Sequence, residues 1–221
     1  NTASSAGGGV FRGTLNSCLV SGNVSPAVGG VGGGGACNAT LNSCTVVSNS
    51  GYGIYFQTGL DVGTVTNCIV YYNTPGNATG LPALFGYCCI MGTFPGNGNV
   101  SAAPQLFVDG IHLTSGSPCR GAGTNLVSGT DIFGQPWSNP PSIGCAEWQP
   151  SPLIGVQPRL QLTSRPVGFI VGTIAVAGQE PFTYRWIKDG DALSDDSHYH
   201  GTDTTNLVAT GIISSDAGNY R

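Results

Sequence analysis

Charge is scarce in this sequence. Only 8% of its 221 residues are Asp, Glu, Lys or Arg, and residues 1–108 contain just two of them, Arg12 and Asp61. That stretch has no His and no Glu. Enzymes that cleave polysaccharides need clustered carboxylates for acid–base or metal work, with a Lys, Arg or His nearby. No such face can be assembled there, so the residues present read as non-catalytic. The net charge is −4, and without a basic stripe no nucleic acid is expected as a partner. No run of about 18 apolar residues occurs, so no membrane span is expected. Cysteines never fall in a CxxC pair, which argues against a zinc site, and nothing in the sequence calls for a cofactor. The repeated stretches of the first half lack the 3.6-residue period of an amphipathic helix. Glycine lacks a three-residue period, which excludes collagen. No signal peptide is visible, and the first residue is Asn1 rather than Met, so a processed or excised piece is expected.

What is abundant suits strands joined by tight turns. Gly contributes 36 residues, and Val, Ile, Thr, Ser and Asn dominate the rest; Gly and Asn adopt positive φ at little cost. The length leaves room for one large or two small domains. Eight cysteines occur, at positions 18, 37, 44, 68, 88, 89, 119 and 145. With so few charges, that usage points to an oxidising, extracellular setting at or outside the cell surface.

The first half repeats. Residues 9–23 align with 35–49 at an offset of 26, through Leu15-Asn16-Ser17-Cys18 and Leu41-Asn42-Ser43-Cys44. A third copy starts at Gly53, takes an insertion around Gly59 to Gly63, and resumes at Thr64 to run through Thr66-Asn67-Cys68-Ile69-Val70 to Asn73. A degenerate fourth copy is expected around Tyr87 to Met91. Such a coil cannot bury its apolar side alone and gains stability by stacking at about 4.8 Å. Stacking sets Cys18, Cys44 and Cys68 one above another, and likewise Asn23, Asn49 and Asn73, whose side chains are expected to form a hydrogen-bonded ladder.

These motifs, each followed by Ser-Gly-Asn, Ser-Asn or Tyr-Asn, resemble the right-handed parallel β-helix family, in the version found in large bacterial surface and secreted proteins. The resemblance implies coils over residues 1–102. Residues 103–150 are similar to the segment that closes many such helices: Pro104-Gln105-Leu106-Phe107-Val108-Asp109, Ile111-His112-Leu113-Thr114-Ser115-Gly116-Ser117-Pro118-Cys119, Asp131-Ile132-Phe133-Gly134-Gln135-Pro136 and Ile143-Gly144-Cys145-Ala146-Glu147. Gly121 stands where the family usually has an acidic residue, and Cys145 where it has a small one. The second departure makes Cys119–Cys145 an expected disulfide. A closing segment is needed because the last coil otherwise exposes unpaired strand edges. His112 within it is expected to pack or hydrogen-bond rather than act as a base.

Composition changes at Pro150-Ser151-Pro152, where a domain boundary is expected. Residues Phe182 to Lys188 alternate in period two and end in an Asp189-Gly190 turn; Thr204 to Val208 form a further strand. The region 151–221 resembles an immunoglobulin-like β-sandwich of bacterial type. Trp186 matches its buried strand-C tryptophan, and Asp216-Ala217-Gly218-Asn219-Tyr220 its tyrosine corner. No cysteine stands on the candidate second strand, Phe169 to Ala177, so the usual inter-sheet disulfide is not expected. The sandwich is expected to be incomplete, its last strand lost by truncation or supplied by another chain.

The overall expectation is an all-β chain: final coils of a right-handed parallel β-helix, a closing segment, then an incomplete immunoglobulin-like sandwich. Its expected role is structural or adhesive, as a stalk or a filament subunit assembling head to tail with copies of itself or meeting other surface proteins. The alternative is the C-terminal part of a carbohydrate-active enzyme, or a glycan-binding module that stacks sugars on Tyr71 and Tyr72. Asp195, Asp196, His198 and His200 form a weak metal-ligand pattern whose simpler explanation is a polar loop.

Overall fold

A computed structural model describes residues 1–4, 7–25, 32–57, 63–79, 85–94, 96–156, 161–163 and 169–221. Asp61 and most of the insertion around Gly59 lie outside them. The chain divides into two units, Asn1–Trp148 and Gln149–Arg221.

The first unit is a stack of coils, each contributing one short strand to three parallel sheets. The first coil supplies β1 (Val10–Phe11), β2 (Thr14–Asn16) and β3 (Leu19–Ser21). The second supplies β4 (Gly33–Cys37), β5 (Thr40–Asn42) and β6 (Thr45–Val47). The third supplies β7 (Tyr52–Tyr55), β8 (Val65–Thr66) and β9 (Ile69–Tyr71). The fourth supplies β10 (Ala78–Thr79), β11 (Phe85–Gly86) and β12 (Cys89–Ile90). The sheets run β1-β4-β7-β10, β2-β5-β8-β11 and β3-β6-β9-β12. Register follows the sequence repeat: Leu15 pairs with Leu41 and Leu41 with Val65, while Val20 pairs with Val46 and Val46 with Val70. This is a parallel β-helix.

Each coil turns between sheets at a residue in the left-handed region. The sequence favours Gly and Asn for such corners. The structure also uses Ser17, Ser43, Ser48, Tyr72 and Tyr87, at φ between 48° and 57°. Hydrogen bonds between coils hold these residues in a conformation that costs a non-glycine side chain roughly 1–2 kcal/mol.

Successive strand residues point to opposite faces, and in the third sheet both faces are buried from the second coil on. Val20, Val46, Val70 and Ile90 point inward and join Leu41, Val65, Phe85 and Ile54 in the coil core. Val47, Ile69, Tyr71 and Cys89 point outward, into a second cluster completed by Leu113, Cys119 and Ile143. Those last three belong to the closing segment, whose path differs from expectation. The exposed edge of the last coil is met early, by residues 97–100: Tyr87 N–H donates to Asn97 O, Ile90 N–H to Val100 O, and Val100 N–H to Cys88 O. Residues 104–148 then return along the outer flank. Gly144 N–H donates to Asn67 O at 2.8 Å, Cys145 N–H to Thr45 Oγ1 at 3.0 Å, and Ser17 Oγ to Thr130 O at 3.0 Å. The segment therefore sheathes the third sheet across coils one to three as well as following the fourth.

The second unit is antiparallel. Strands β13 (Leu153–Val156) and β16 (Ala175–Ala177) form one pair. A four-stranded sheet runs β14 (Gln161–Thr163), β15 (Phe169–Thr173), β20 (Asn206–Thr210), β19 (Tyr199–His200). β17 (Ile187–Lys188) and β18 (Asp191–Ala192) make a hairpin. Its turn residues, Asp189 and Gly190, both have positive φ, as a two-residue primed turn requires. Most of the alternating run before it lies outside any ladder: only Ile187 and Lys188 enter one, and Lys188 also bridges Tyr220.

Candidate functional site

Polar side chains in the first unit are organised along the coil axis. Asn49 is almost fully buried. Its Nδ2 donates to Val20 O (2.9 Å), Val47 O (3.1 Å) and Asn73 Oδ1 (2.9 Å). Its Oδ1 accepts from both the N–H and the Nδ2 of Asn23, each at 3.0 Å. Asn73 repeats the pattern, donating to Val46 O and Tyr71 O. The ladder continues one rung further than the repeat suggests: Asn77 Oδ1 accepts from Asn73 N–H at 3.0 Å and from its Nδ2 at 3.3 Å. Asn77 escapes the repeat because it follows Asn73 by a short turn rather than by a full coil.

Glycine marks the opposing wall. A Cβ on Gly35 would lie 2.4 Å from Gly53 O, 2.8 Å from Val46 Cγ1 and 3.1 Å from Asn49 Nδ2. One coil on, a Cβ on Gly53 would lie 2.5 Å from Asn73 Nδ2. The backbone thus passes directly over each Asn rung.

The thiols of Cys18, Cys44, Cys68 and Cys88 form a second column in the coil core, and Cys44 N–H donates to Cys68 Sγ at 3.3 Å. They also donate to main-chain carbonyls: Cys44 to Asn42 O and Leu15 O, Cys68 to Thr66 O and Leu41 O, Cys88 to Gly86 O and Val65 O. Burial pushes the Cys68 thiol well up. The expected Cys119–Cys145 disulfide is not formed; all eight cysteines are free. Cys145 is turned toward the second coil through its bond to Thr45, and burial pushes its thiol up to about 12. Cys119 lies instead in the outer cluster with Cys89.

Within the closing segment, a cleft of about 470 Å³ is lined by residues including Arg120, Ser142, Glu147 and Trp148. The Arg120 guanidinium lies 3.5 Å from the centre of the Trp148 ring. Glu147 is buried, accepting from Ser142 Oγ at 2.6 Å and from Ser142 N–H at 2.9 Å. Arg120 Nε and Trp148 Nε1 are buried without a partner. His112 bonds Asp109 through Nδ1 at 2.5 Å and stacks on Phe133. Tyr71 and Tyr72 do not form a paired stacking surface. Tyr71 is buried in the outer cluster, and Tyr72 alone is exposed, edge-on to its neighbour at 4.8 Å.

In the second unit Trp186 is buried and its Nε1 donates to Thr204 O at 2.9 Å. Tyr220 donates through its hydroxyl to Asp216 O at 2.8 Å. The residues of the weak metal-ligand pattern are separated by their partners. Asp195 accepts from the N–H and Oγ1 of Thr202, and Asp196 from the N–H groups of His198 and Tyr199. His198 Nε2 lies 2.7 Å from buried Asp216, and His200 is exposed. Among the described residues no three His, Cys, Asp or Glu groups are disposed to hold a metal ion. The hydrogen bond to Asp216 raises the His198 pKa. Burial alone would raise that of Asp216, but Ile213 N–H, His198 and Tyr199 together hold it below the usual carboxylate value. Asp216 as the partner of His198 was not foreseen, since the two lie on separate loops. An apolar groove of about 690 Å³ runs between Ile154, Val176, Phe182, Tyr184 and Trp186.

No helix among the described residues is long and apolar enough to cross a membrane. Compared with family models, with curated proteins and with solved structures, the chain gives no significant match in any of the three.

Proposed function

We propose that this chain is part of a non-catalytic extracellular surface protein, with the parallel β-helix as a stiff stalk and Gln149–Arg221 as an immunoglobulin-like spacer or presenting module. The observation that carries this is the commitment of buried polar groups in the first unit. The Asn rungs bond from coil to coil, and the Cys44, Cys68 and Cys88 thiols each reach a carbonyl of the preceding coil, which stiffens the stack along its axis. An enzyme of this architecture would instead hold carboxylates out on one flank.

The motif resemblance supplies the finer statement, a right-handed helix of the bacterial surface type. In the second unit, buried Trp186 and the bond from Tyr220 to Asp216 O support the immunoglobulin-like assignment, because that family uses a core tryptophan and a tyrosine whose hydroxyl returns to the backbone a few residues upstream. Head-to-tail assembly is the most specific form of the proposal; it predicts oligomers by light scattering at high concentration.

The test is surface labelling of intact source cells with antibodies to the chain, combined with electron microscopy of the native protein. Surface label on rods or fibres is the expected result. Label confined to the cell interior, or cleavage of a polysaccharide by the purified native protein, overturns the proposal. A glycan-binding role is favoured by one observation, the Arg120–Trp148–Glu147 cleft with its two unpartnered donors. Glycan arrays comparing the chain with Trp148→Ala decide that reading.

A further inference from the structure

Cys88 and Cys89 are adjacent on one strand and therefore face opposite ways. Cys88 points into the coil core, where it joins the thiol column and donates to Val65 O and Gly86 O, each at 3.3 Å. Cys89 points outward into the cluster under the closing segment, and Cys119 belongs to the same cluster, its thiol near enough to disfavour ionisation of Cys89. Cys119 is fixed from both sides. Its N–H donates to Ser117 Oγ at 3.2 Å, and its carbonyl accepts from Ile143 N–H at 2.8 Å. Ser117 in turn donates to Pro104 O. Both cysteines are completely buried.

We propose that Cys89 and Cys119 are a redox pair that closes into a disulfide under oxidising conditions, stapling the last coil to the closing segment. The column thiols are poor competitors. Cys44, Cys68 and Cys88 are each engaged by main-chain carbonyls of two coils, and Cys18 sits in the first coil, at the far end of the column, whereas the Cys89 thiol has a single carbonyl partner, Ala102 O at 3.2 Å. Cys145, the partner expected from sequence, is held at Thr45.

The oxidant is a small disulfide such as oxidised glutathione. One cysteine thiolate attacks it, expelling one glutathione thiolate and leaving a mixed disulfide. The second cysteine thiolate then attacks the protein sulfur of that bond and expels the other. The protein loses two hydrogens, whose protons go to the two glutathione thiolates, and the two electrons reduce glutathione. The contact with Cys119, and burial, both disfavour the Cys89 thiolate in the docked state. Exchange therefore takes place before the closing segment docks or when it lifts.

The full chain is folded in a glutathione redox buffer, alkylated without reduction and digested with chymotrypsin. One linked peptide joining Cys89 to Cys119 is expected, with the column cysteines alkylated. Closing a loop of about 30 residues should raise the melting temperature of the first unit by roughly 10 °C relative to the reduced chain. That shift should vanish in Cys119→Ser and persist in Cys145→Ser. A linked peptide containing Cys145 or two column cysteines overturns the proposal. So does an unlinked chain that is nonetheless folded by circular dichroism. The mapping uses the unmutated chain, so a variant that fails to fold leaves the decision intact.

Discussion

Asn49 occupies the middle of the ladder, so its removal tests whether the ladder supports the stack. Asn49→Ala deletes five side-chain hydrogen bonds, two accepted from Asn23 and three donated to Val20 O, Val47 O and Asn73 Oδ1. The buried Asn23 N–H loses its partner outright. The two carbonyls keep a second lone pair and lose less, and Asn73 Oδ1 still accepts from Asn49 N–H at 3.0 Å. A buried group left unpaired costs about 1–3 kcal/mol, so the variant should lose about 4 kcal/mol.

Asn23 is the control. It is buried to a similar degree but sits at the end of the ladder, where its side chain donates to Asn49 Oδ1 and accepts from the Asn1 amino group at 3.2 Å. Asn23→Ala leaves Asn49 Oδ1 bonded to Asn23 N–H, so about 1 kcal/mol is expected. Urea unfolding followed by circular dichroism measures both. The m-values should be unchanged, since neither variant alters the surface exposed on unfolding. In the Asn49→Ala background, Asn23→Ala should cost little more, because only the bond accepted from the Asn1 amino group remains to be lost. If Asn49→Ala costs no more than Asn23→Ala, the ladder is an incidental contact and the stack is held by its apolar core alone.

Two further outcomes follow from named contacts. Gly35→Ala places a methyl against the Gly53 carbonyl and the Val46 side chain; a backbone atom cannot swing away, so a loss of about 1–3 kcal/mol is expected in the same assay. In the second unit, the raised pKa of His198 means that its pairing with Asp216 is fully present below the ordinary histidine value of about 6.5 and is lost as pH rises through the folded value. The lowered pKa of Asp216 sets the opposite limit, with stability lost as pH falls through that value. Stability of this unit should therefore peak at mildly acidic pH in thermal melts, and Asp216→Asn should flatten the alkaline decline.

The stack was legible because its repeat is written in residue identity. Leu-Asn-Ser-Cys recurs at an offset of 26, and the same offset is the observed strand register. The outer cluster was not legible. Thr45, Val47, Ile69, Tyr71 and Cys89 are strand neighbours of inward-facing residues, and nothing local shows that a segment many residues downstream will cover them. The same blindness offered Tyr71 as a sugar-stacking residue beside Tyr72 and paired Cys119 with Cys145. Both errors treat the closing segment as a plug on the last coil, when it also sheathes a flank. In the second unit the Asp189-Gly190 turn was readable, since two consecutive positive φ values need that chemistry. The bond between His198 and Asp216 depends on two loops meeting and left no local trace.

Connections between the first and second sheets show what the coil tolerates. Two residues suffice between β1 and β2 and between β4 and β5, whereas nine separate β7 from β8. Ladder register survives this variation, because Asn49 still meets Asn73 across it. The reason lies in what is fixed. Gly35 must pass over Asn49, which ties β4 to the corner after β6, while the corner at Arg12 and Gly13 is exposed and a Cβ at Gly13 would meet nothing within 4 Å. A Gly-Ser insertion between Arg12 and Gly13 should cost less than about 1 kcal/mol, the scale of lengthening a flexible loop. A single residue inserted between Val46 and Val47 should instead unfold the unit. It turns Val47 toward the interior and carries Asn49 out of line with Asn23 and Asn73. Circular dichroism and urea unfolding of the two insertions decide this. Equal damage from both would mean that the coil is fixed around its whole circumference and that its corners have no freedom to carry variable loops.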